Sequence, residues 1–322
     1  MRVAVLSGGR SSEHEVSLRS GASVAEGLGQ AGHEAVAVLI DRKGGWSCDG
    51  EEVRLAPGAG LLDCDVAFPV LHGPFGEDGT VQGLLECLDL PYVGADVLAS
   101  ALCMDKLTFK RLLGFHRIPQ VDFVEAGEEG WRERAASFGL PLWVKPSRLG
   151  SSVGISKVAD PERELDAAVE AARRHDPRVI IEAGATGREV ECSVIGNDDP
   201  ETSLPGEIVA HADWYDYEAK YEPGGMELVV PAPLDDATTR RVRELAASVY
   251  RAAGCSGLAR CDFFVTDDGE VLVNELNTIP GFTETSVFAK LFEASGVSYP
   301  DLCDRLVKLA VERHRAQGAY EF

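Results

Sequence analysis

Long apolar runs are missing from this chain: no segment approaches the ~18 consecutive apolar residues that a membrane helix requires. Met1-Arg2 passes straight into Val3-Ala4-Val5-Leu6 without the apolar stretch and cleavage site of a signal peptide, so a cytoplasmic protein with no membrane partner is expected. Positive charge is also scarce. Lysine and arginine number 31 against 53 aspartates and glutamates, a formal net charge of -22. A surface of that sign repels phosphate backbones and anionic head groups, which argues against nucleic acid as a partner. Glycine (34) and proline (16) stay well below the share that marks low-complexity chains, excluding disordered and fibrous architectures.

Zinc and disulfide signatures are absent too. The eight cysteines (48, 64, 87, 103, 192, 255, 261 and 303) include no C-x-x-C pair and no histidine at zinc spacing, and read as reduced, mostly core residues. Cys192, Cys255 and Cys261 fall in apolar, strand-like stretches, where a thiol behaves as a small hydrophobe. No base stands near them in sequence to make a nucleophile.

What is present is an alternation of short apolar strands with amphipathic helices over 322 residues, about two domains at ~150 residues each and enough for a sizeable core. Periodicity predicts a strand over 2–6, a Gly8-Gly9 turn, a helix over 16–31, and strands over 35–40 and 66–71, an α/β pattern with a parallel sheet. A second stretch reads as a helix over 106–113 ended by Gly114, strands over 142–145, 153–158 and 179–182, and a helix over 161–175. The third holds strands near 189–195 and 207–210, a polar segment over 214–225, a helix over 236–253, a hairpin over 258–277 and a last helix over 299–317.

Two features carry chemistry. Asp268-Gly269 reads as a two-residue hairpin loop, so that Thr266 faces Val271 and the count runs back to Asp262 opposite Glu275 and Arg260 opposite Asn277. Strand alternation puts these four side chains on one face. Opposed like charges destabilise a sheet pair, so a cation between the carboxylates is expected. Two carboxylates and an amide suit magnesium, which takes one or two protein carboxylates and completes its shell with water and substrate phosphates. A merely solvated hairpin face is the alternative, disfavoured by the apolar flanks Phe263, Phe264, Val265, Leu272 and Val273.

The second feature is Lys145 at the end of the apolar strand Leu142-Trp143-Val144, followed by Ser147-Arg148-Leu149-Gly150-Ser151-Ser152-Val153-Gly154. Glycines allow close backbone approach, and successive N–H groups with serine hydroxyls can cradle phosphate. This is not a Walker loop, because it lacks G-K-[ST] and joins strand to strand. An ordinary hairpin connection is the bland reading. A further lysine, Lys106, and the acidic hairpin supply charge and a metal for one triphosphate, which favours ATP.

These residues stand within a series of motifs in fixed order: L-S-G-G-R-S-S-E-H-E-V-S (6–17), L-H-G-P-F-G-E-D-G (71–79), M-D-K (104–106), V-K-P-S-R-L-G-S-S-V-G-I-S-K (144–157), Y-D-Y-E-A-K-Y (215–221), the Arg260/Asp262 strand, and N-E-L-N-T-I-P-G (274–281). The series resembles the D-alanine:D-alanine ligase family of the ATP-grasp superfamily over nearly the whole chain. That resemblance implies an α/β fold, α+β in part, with three domains: an N-terminal parallel α/β substrate-binding domain over 1–103, a central lid over 104–185, and a C-terminal domain with the metal and catalytic site over 186–322. It implies ATP-dependent ligation of two D-alanine molecules through an acyl phosphate, for peptidoglycan precursor synthesis. Two magnesium ions, replaceable by manganese, and a homodimer are implied as well.

The resemblance also assigns residues. Lys106, Lys145 and Lys220 would contact ATP phosphates, with Ser151 and Ser152 in the lid. Glu182 with the backbone at Ala183 and Ala185 would hold the adenine, Glu189 the ribose hydroxyls, and Asn274 would line the nucleotide site beside Glu275. Asp262, Glu275 and Asn277 would ligate the metal, in agreement with the face counted from strand parity. Glu13 would orient the first D-alanine ammonium with His72 close by, Arg260 and the Gly281 backbone would steady the anionic intermediate, and Ser286 would touch substrate. Tyr221 would bond back toward Glu13 and Ser151, and a tyrosine there resembles the D-alanine-using members rather than the D-lactate-using ones. Leu149 departs from the acidic residue that some members carry before Gly150. Other readings are a ligase with a D-lactate or D-serine acceptor, or a nucleotide-binding protein without catalysis. Taken from the residues alone, Glu13 can equally be a first-turn acid favoured by a helix dipole and His72 a core histidine.

Overall fold

The computed structural model of the chain describes residues 1–210 and 226–321. Its first sheet is built from β1 (Arg2–Gly8), β2 (Glu34–Ile40), β3 (Trp46–Cys48), β4 (Glu51–Glu52) and β5 (Val66–Pro69), in the order β4-β3-β2-β1-β5. β1 pairs in parallel with β2 and β5, as the strand–helix alternation predicts, and α1 (His14–Gln30) crosses over between β1 and β2. Val3, Ala4, Val5 and Leu6 are all buried because both faces of β1 are covered, which is why this strand reads as a continuous apolar run. The short β3 and β4 extend the sheet antiparallel, too short to show in hydrophobic periodicity.

Three helices follow: α2 (Thr80–Cys87), α3 (Val97–Met104) and α4 (Lys106–Phe115). Asp105 caps α4 by accepting from the Thr108 N–H at 3.0 Å. The expected stop at Gly114 is not observed: α4 runs on through Gly114 to Phe115, since buried Phe109 and Leu113 hold the helix in place and one glycine costs it only about 1 kcal/mol.

β6 (Phe123–Glu125), β7 (Leu142–Pro146), β8 (Ser156–Val158) and β9 (Val179–Ala183) form a second, antiparallel sheet in the order β6-β9-β7-β8. α5 (Trp131–Ser137) and α6 (Pro161–Arg173) cover one of its faces, with Leu165, Ala168, Val169 and Ala172 of α6 packed in a core with Leu142, Val144 and Ile181. β8 starts three residues after the expected Val153. Ser151 and Ser152 adopt left-handed backbone, φ 52° and 59°, so the chain turns before it can pair.

The third sheet runs β13-β12-β10-β14-β15, with β10 (Arg188–Gly196), β11 (Glu201–Thr202) beside it, β12 (Gly206–Ala210), β13 (Met226–Val229), β14 (Gly257–Val265) and β15 (Val271–Asn277). α7 (Asp236–Ala252) packs Val242, Leu245, Ala246 and Val249 onto Val190, Cys192, Cys261 and Phe263 of one face. α8 (Val287–Ala294) and α9 (Tyr299–Gln317) bring Phe288, Phe292, Leu302 and Leu306 into a core shared with Val3, Val5 and Phe68 of the first sheet. Five of the eight cysteines are buried; Cys255 lies in the turn between α7 and β14 rather than in a strand.

The β14–β15 hairpin corrects the expected loop while keeping the expected pairs. Val265, not Thr266, faces Val271, and the Thr266 N–H donates to the Glu270 carbonyl at 2.9 Å, leaving a three-residue loop, Asp267-Asp268-Gly269. Gly269 closes it at φ 84°, where a side chain would be strained. A β-bulge next to Asp262 then absorbs the slip, so Asp262 still pairs with Glu275 and Arg260 with Asn277.

Candidate active site

β14 alternates Arg260 and Asp262 on its open face with Cys261 and Phe263 in the core. The Arg260 guanidinium grips both Asp262 oxygens, Nε to Oδ1 and Nη2 to Oδ2, each at 2.7 Å. Glu191 of β10, in register with Asp262, brings Oε2 to 2.9 Å from the same Nε. Burial disfavours a charged guanidinium, but Asp262 and Glu191 outweigh it and drive the Arg260 pKa well above its ordinary value. Glu191 escaped the sequence reading. Its signal was R-E-V-E-C, in which Glu189 and Glu191 share one face of β10, the face that carries Arg260 and Asp262 on β14.

The bulge gives β15 its second property. Alternation breaks at Asn274 and Glu275, which are both half-buried on the open side, while Val273 and Leu276 on either side are in the core. Two polar residues in succession in a strand were the readable sign of that bulge. Glu275 Oε2 lies 3.5 Å from Lys106 Nζ, and the same ammonium donates to the Leu149 carbonyl at 2.9 Å. Lys106 therefore joins the acidic hairpin to the glycine-rich loop. Position 149 acts here through its backbone, which any side chain can supply. The Lys106 N–H donates to the Ser147 carbonyl at 2.9 Å, and Asp105 accepts from the Ser147 hydroxyl at 3.0 Å, fixing the start of α4 to the end of β7.

Asp262, Glu275 and Asn277 offer only oxygen donors on one face, a set that fits a hard divalent cation. Asn277 Oδ1 also accepts from the Ile279 N–H at 3.1 Å. Among the described residues no three His, Cys, Asp or Glu side chains converge as a metal cluster, so water and phosphate oxygens would have to complete the shell.

On the second sheet, Glu182 of β9 lies in register between Phe123 of β6 and Trp143 of β7. Lys145 Nζ reaches its Oε2 at 2.6 Å, and Lys110 of α4 reaches its Oε1 at 2.9 Å. Glu182 is only 2% exposed and Lys110 1%. Burial pushes the Glu182 carboxyl up, but Lys110 and Lys145 more than offset this and hold it at about 2. Burial draws Lys110 below the usual lysine range, whereas for Lys145 the pull of Glu182 overcomes burial and raises it. Lys110 was not singled out from sequence, where it sits inside the apolar pattern of a helix. The Ala183 N–H is donated to the Asp122 carbonyl at 2.9 Å, so that group is not available to a ligand. Glu189 is exposed, in register with Phe264.

Glu13, just before α1, is buried against two loops. A Cβ at Gly73 would stand 2.9 Å from its Oε2, and one at Gly150 3.9 Å, so Glu13 meets the segment holding His72 and the loop holding Ser151 and Ser152. His72 Nδ1 lies 2.9 Å from the Ile279 carbonyl and its Nε2 3.0 Å from Ser20 Oγ. Burial lowers the His72 pKa, but Glu77, Glu13 and that carbonyl reverse the effect and raise it; burial pushes the Glu77 carboxyl up as well. A Cβ at Gly281 would lie 3.3 Å from Ser286 Oγ, which stands 2.7 Å from Thr283 Oγ1. Glu13, His72, Gly281 and Ser286 thus gather at the junction of the first and third sheets. Lys220 and Tyr221, with the rest of the polar segment 214–225, lie outside the described residues.

Glu275 of the third sheet meets Lys106 of α4, which reaches the glycine-rich loop, and Glu182 of the second sheet meets Lys145; with oxygen donors for a divalent cation alongside, this arrangement fits an ATP-grasp ligase. Family models described as the D-ala D-ala ligase C-terminus and N-terminus match residues 112–308 and residues 2–57 and 52–95. A D-alanine–D-alanine ligase of Solibacter usitatus is 46% identical over 100% of this chain and 99% of its own length. The solved D-alanine-D-alanine ligase of Coxiella burnetii superposes with a TM-score of 0.89 at 37% identity, over 99% of this chain and 96% of that one. The VanG D-Ala:D-Ser ligase of Enterococcus faecalis gives 0.87 at 36%, over 96% and 99%. The chain belongs to the D-alanine–D-alanine ligase family, an ATP-using, divalent-metal-dependent family of enzymes. None of the described helices is long and apolar enough to cross a membrane.

Proposed function

We propose that this chain joins two D-alanine molecules into D-alanyl-D-alanine with conversion of ATP to ADP and phosphate, in the cytoplasm and for cell-wall precursors. The observation that carries the reading is the unbroken polar face from Arg260–Asp262 through Glu275–Lys106 to the Leu149 carbonyl, with Glu13 at Gly150 across the loop. Three domains, 1–103, 104–185 and 186–322, would close around it, and the active form would be a homodimer.

A carboxylate is a poor electrophile and must be activated before an amine can attack it. Glu13 holds the ammonium of the first D-alanine, with His72 beside it, and directs its carboxylate at the γ-phosphorus. The new O–P bond forms as the bond to ADP breaks, while Lys106, Lys145 and Lys220 balance charge on the phosphates. Magnesium bound by Asp262, Glu275 and Asn277 would spread the charge of the transferring group, with manganese as a substitute. The second D-alanine, as free amine, attacks the acyl carbon. Arg260 and the Gly281 N–H stabilise the oxyanion, Ser286 lines the acceptor side, and phosphate departs. Ser151, Ser152 and Tyr221 close over the acyl phosphate and keep water out. Glu182 accepts the exocyclic amine of adenine beside Ala183 and Ala185, Glu189 takes the ribose hydroxyls, and Asn274 lines the nucleotide.

Product identification tests the acceptor. With D-alanine, D-serine and D-lactate offered together, mass detection should find D-alanyl-D-alanine in excess; a mixed dipeptide or depsipeptide as main product would move the assignment to a D-serine or D-lactate ligase.

A further inference from the structure

Lys106 and Lys110 are one turn apart on α4; Lys106 pairs with Glu275 of the acidic hairpin, whereas Lys110 pairs with Glu182 and feels Glu275 only through its field. Lys110 Nζ is sealed from solvent, meets Glu182 Oε1 at 2.9 Å and lies 6.0 Å from the Phe123 ring centre. Its backbone is held as well, since the Lys110 main-chain carbonyl accepts from Gln120 Nε2 at 2.8 Å. Lys145 is different. It sits at the exit of β7 beside the glycine-rich loop, and a phosphate would compete with Glu182 for it. Once Lys145 turns to a phosphate, Lys110 is left as the cation on Glu182.

We infer that Lys110 is a positioning residue that keeps the Glu182 carboxylate a pure hydrogen-bond acceptor, and thereby makes the site select a 6-amino purine over a 6-oxo purine. A carboxylate has about four lone-pair directions, so two lysines leave room for one purine amine. A carboxyl that carried a proton could instead donate to the carbonyl of hypoxanthine or guanine. With both cations removed from a site this deeply buried, desolvation would favour that protonated form. The inference rests on the proposed contact between Glu182 and adenine.

The test is calorimetric binding of ATP and inosine triphosphate to the full chain without D-alanine, between about pH 5.5 and 8.5. The wild-type preference for ATP should be flat across this range. Lys110→Met should shrink it by about 10- to 100-fold, most at the acid end, and Lys110→Arg should restore it. Equal weakening of both nucleotides at every pH would overturn the inference. Glu182→Gln separates the two readings: if it keeps the wild-type preference, Glu182 is not the purine acceptor. Should Lys110→Met not fold, Lys110→Met with Glu182→Gln removes both buried charges. The pair should then match Glu182→Gln alone, and any further loss of preference would contradict the role.

Discussion

Arg260 holds both oxygens of Asp262 at 2.7 Å and shares its Nε with Glu191, so the guanidinium is fixed in plane and orientation before any substrate arrives. A lysine cannot reproduce that fork. Arg260→Lys is expected to raise the barrier by about 2–4 kcal/mol, seen as a fall in kcat for dipeptide formation with little change in melting temperature. Near wild-type turnover would remove Arg260 from the oxyanion site.

Asp262 and Glu275 face each other across β14 and β15, the least favourable neighbours for two carboxylates unless a cation joins them. Asp262→Asn with Glu275→Gln should abolish metal-dependent turnover while the chain still folds, at a cost in stability because Arg260 and Lys106 each lose a carboxylate partner. Denaturant titration with and without a chelator, beside an activity assay, checks both halves.

The Glu182 carboxyl, held at about 2, supplies a pH signature. Its folded pKa lies below the ordinary carboxylate value, so its stabilisation is complete above the unfolded pKa and disappears as pH falls through the folded one. About 3 kcal/mol should be lost between about pH 4.5 and 2. In Glu182→Gln that share of the acid limb should be missing; identical acid limbs in denaturant titrations would show that the ion triad is not formed in solution.

Gly269 closes the hairpin loop at φ 84° with nothing within 4 Å of a Cβ placed there. Gly269→Ala therefore meets backbone strain alone, and should cost about 1–2 kcal/mol of stability while leaving kcat unchanged. Loss of activity would mean that the loop controls the register of Asp262 and Glu275 after all.

Strand parity read the pairing of Asp262 with Glu275 and of Arg260 with Asn277 from sequence, but by two departures that cancel. The loop is one residue longer than Asp268-Gly269 suggests, and the bulge at Asn274 returns the register. Consecutive polar residues in a strand were the trace of it. Lys106, Lys145 and the Ser147–Gly154 loop were legible because lysines and glycines stand out against apolar strands. Lys110 and Glu191 were not: each lies in an ordinary amphipathic pattern, and only the approach of Lys110 to Glu182 of β9, and the pairing of β10 with β14, gives them partners. Glu77 lies within the L-H-G-P-F-G-E-D-G segment, and its approach to His72, 3.9 Å, comes from the fold of that loop, which no periodicity announces.

Coupling of phosphate release to dipeptide formation tests the central claim most directly. With ATP and divalent metal, phosphate should appear with D-alanine and not with L-alanine or without amino acid, matched one-for-one by D-alanyl-D-alanine in mass detection. Phosphate without dipeptide, or no phosphate under any of the three conditions, would contradict it.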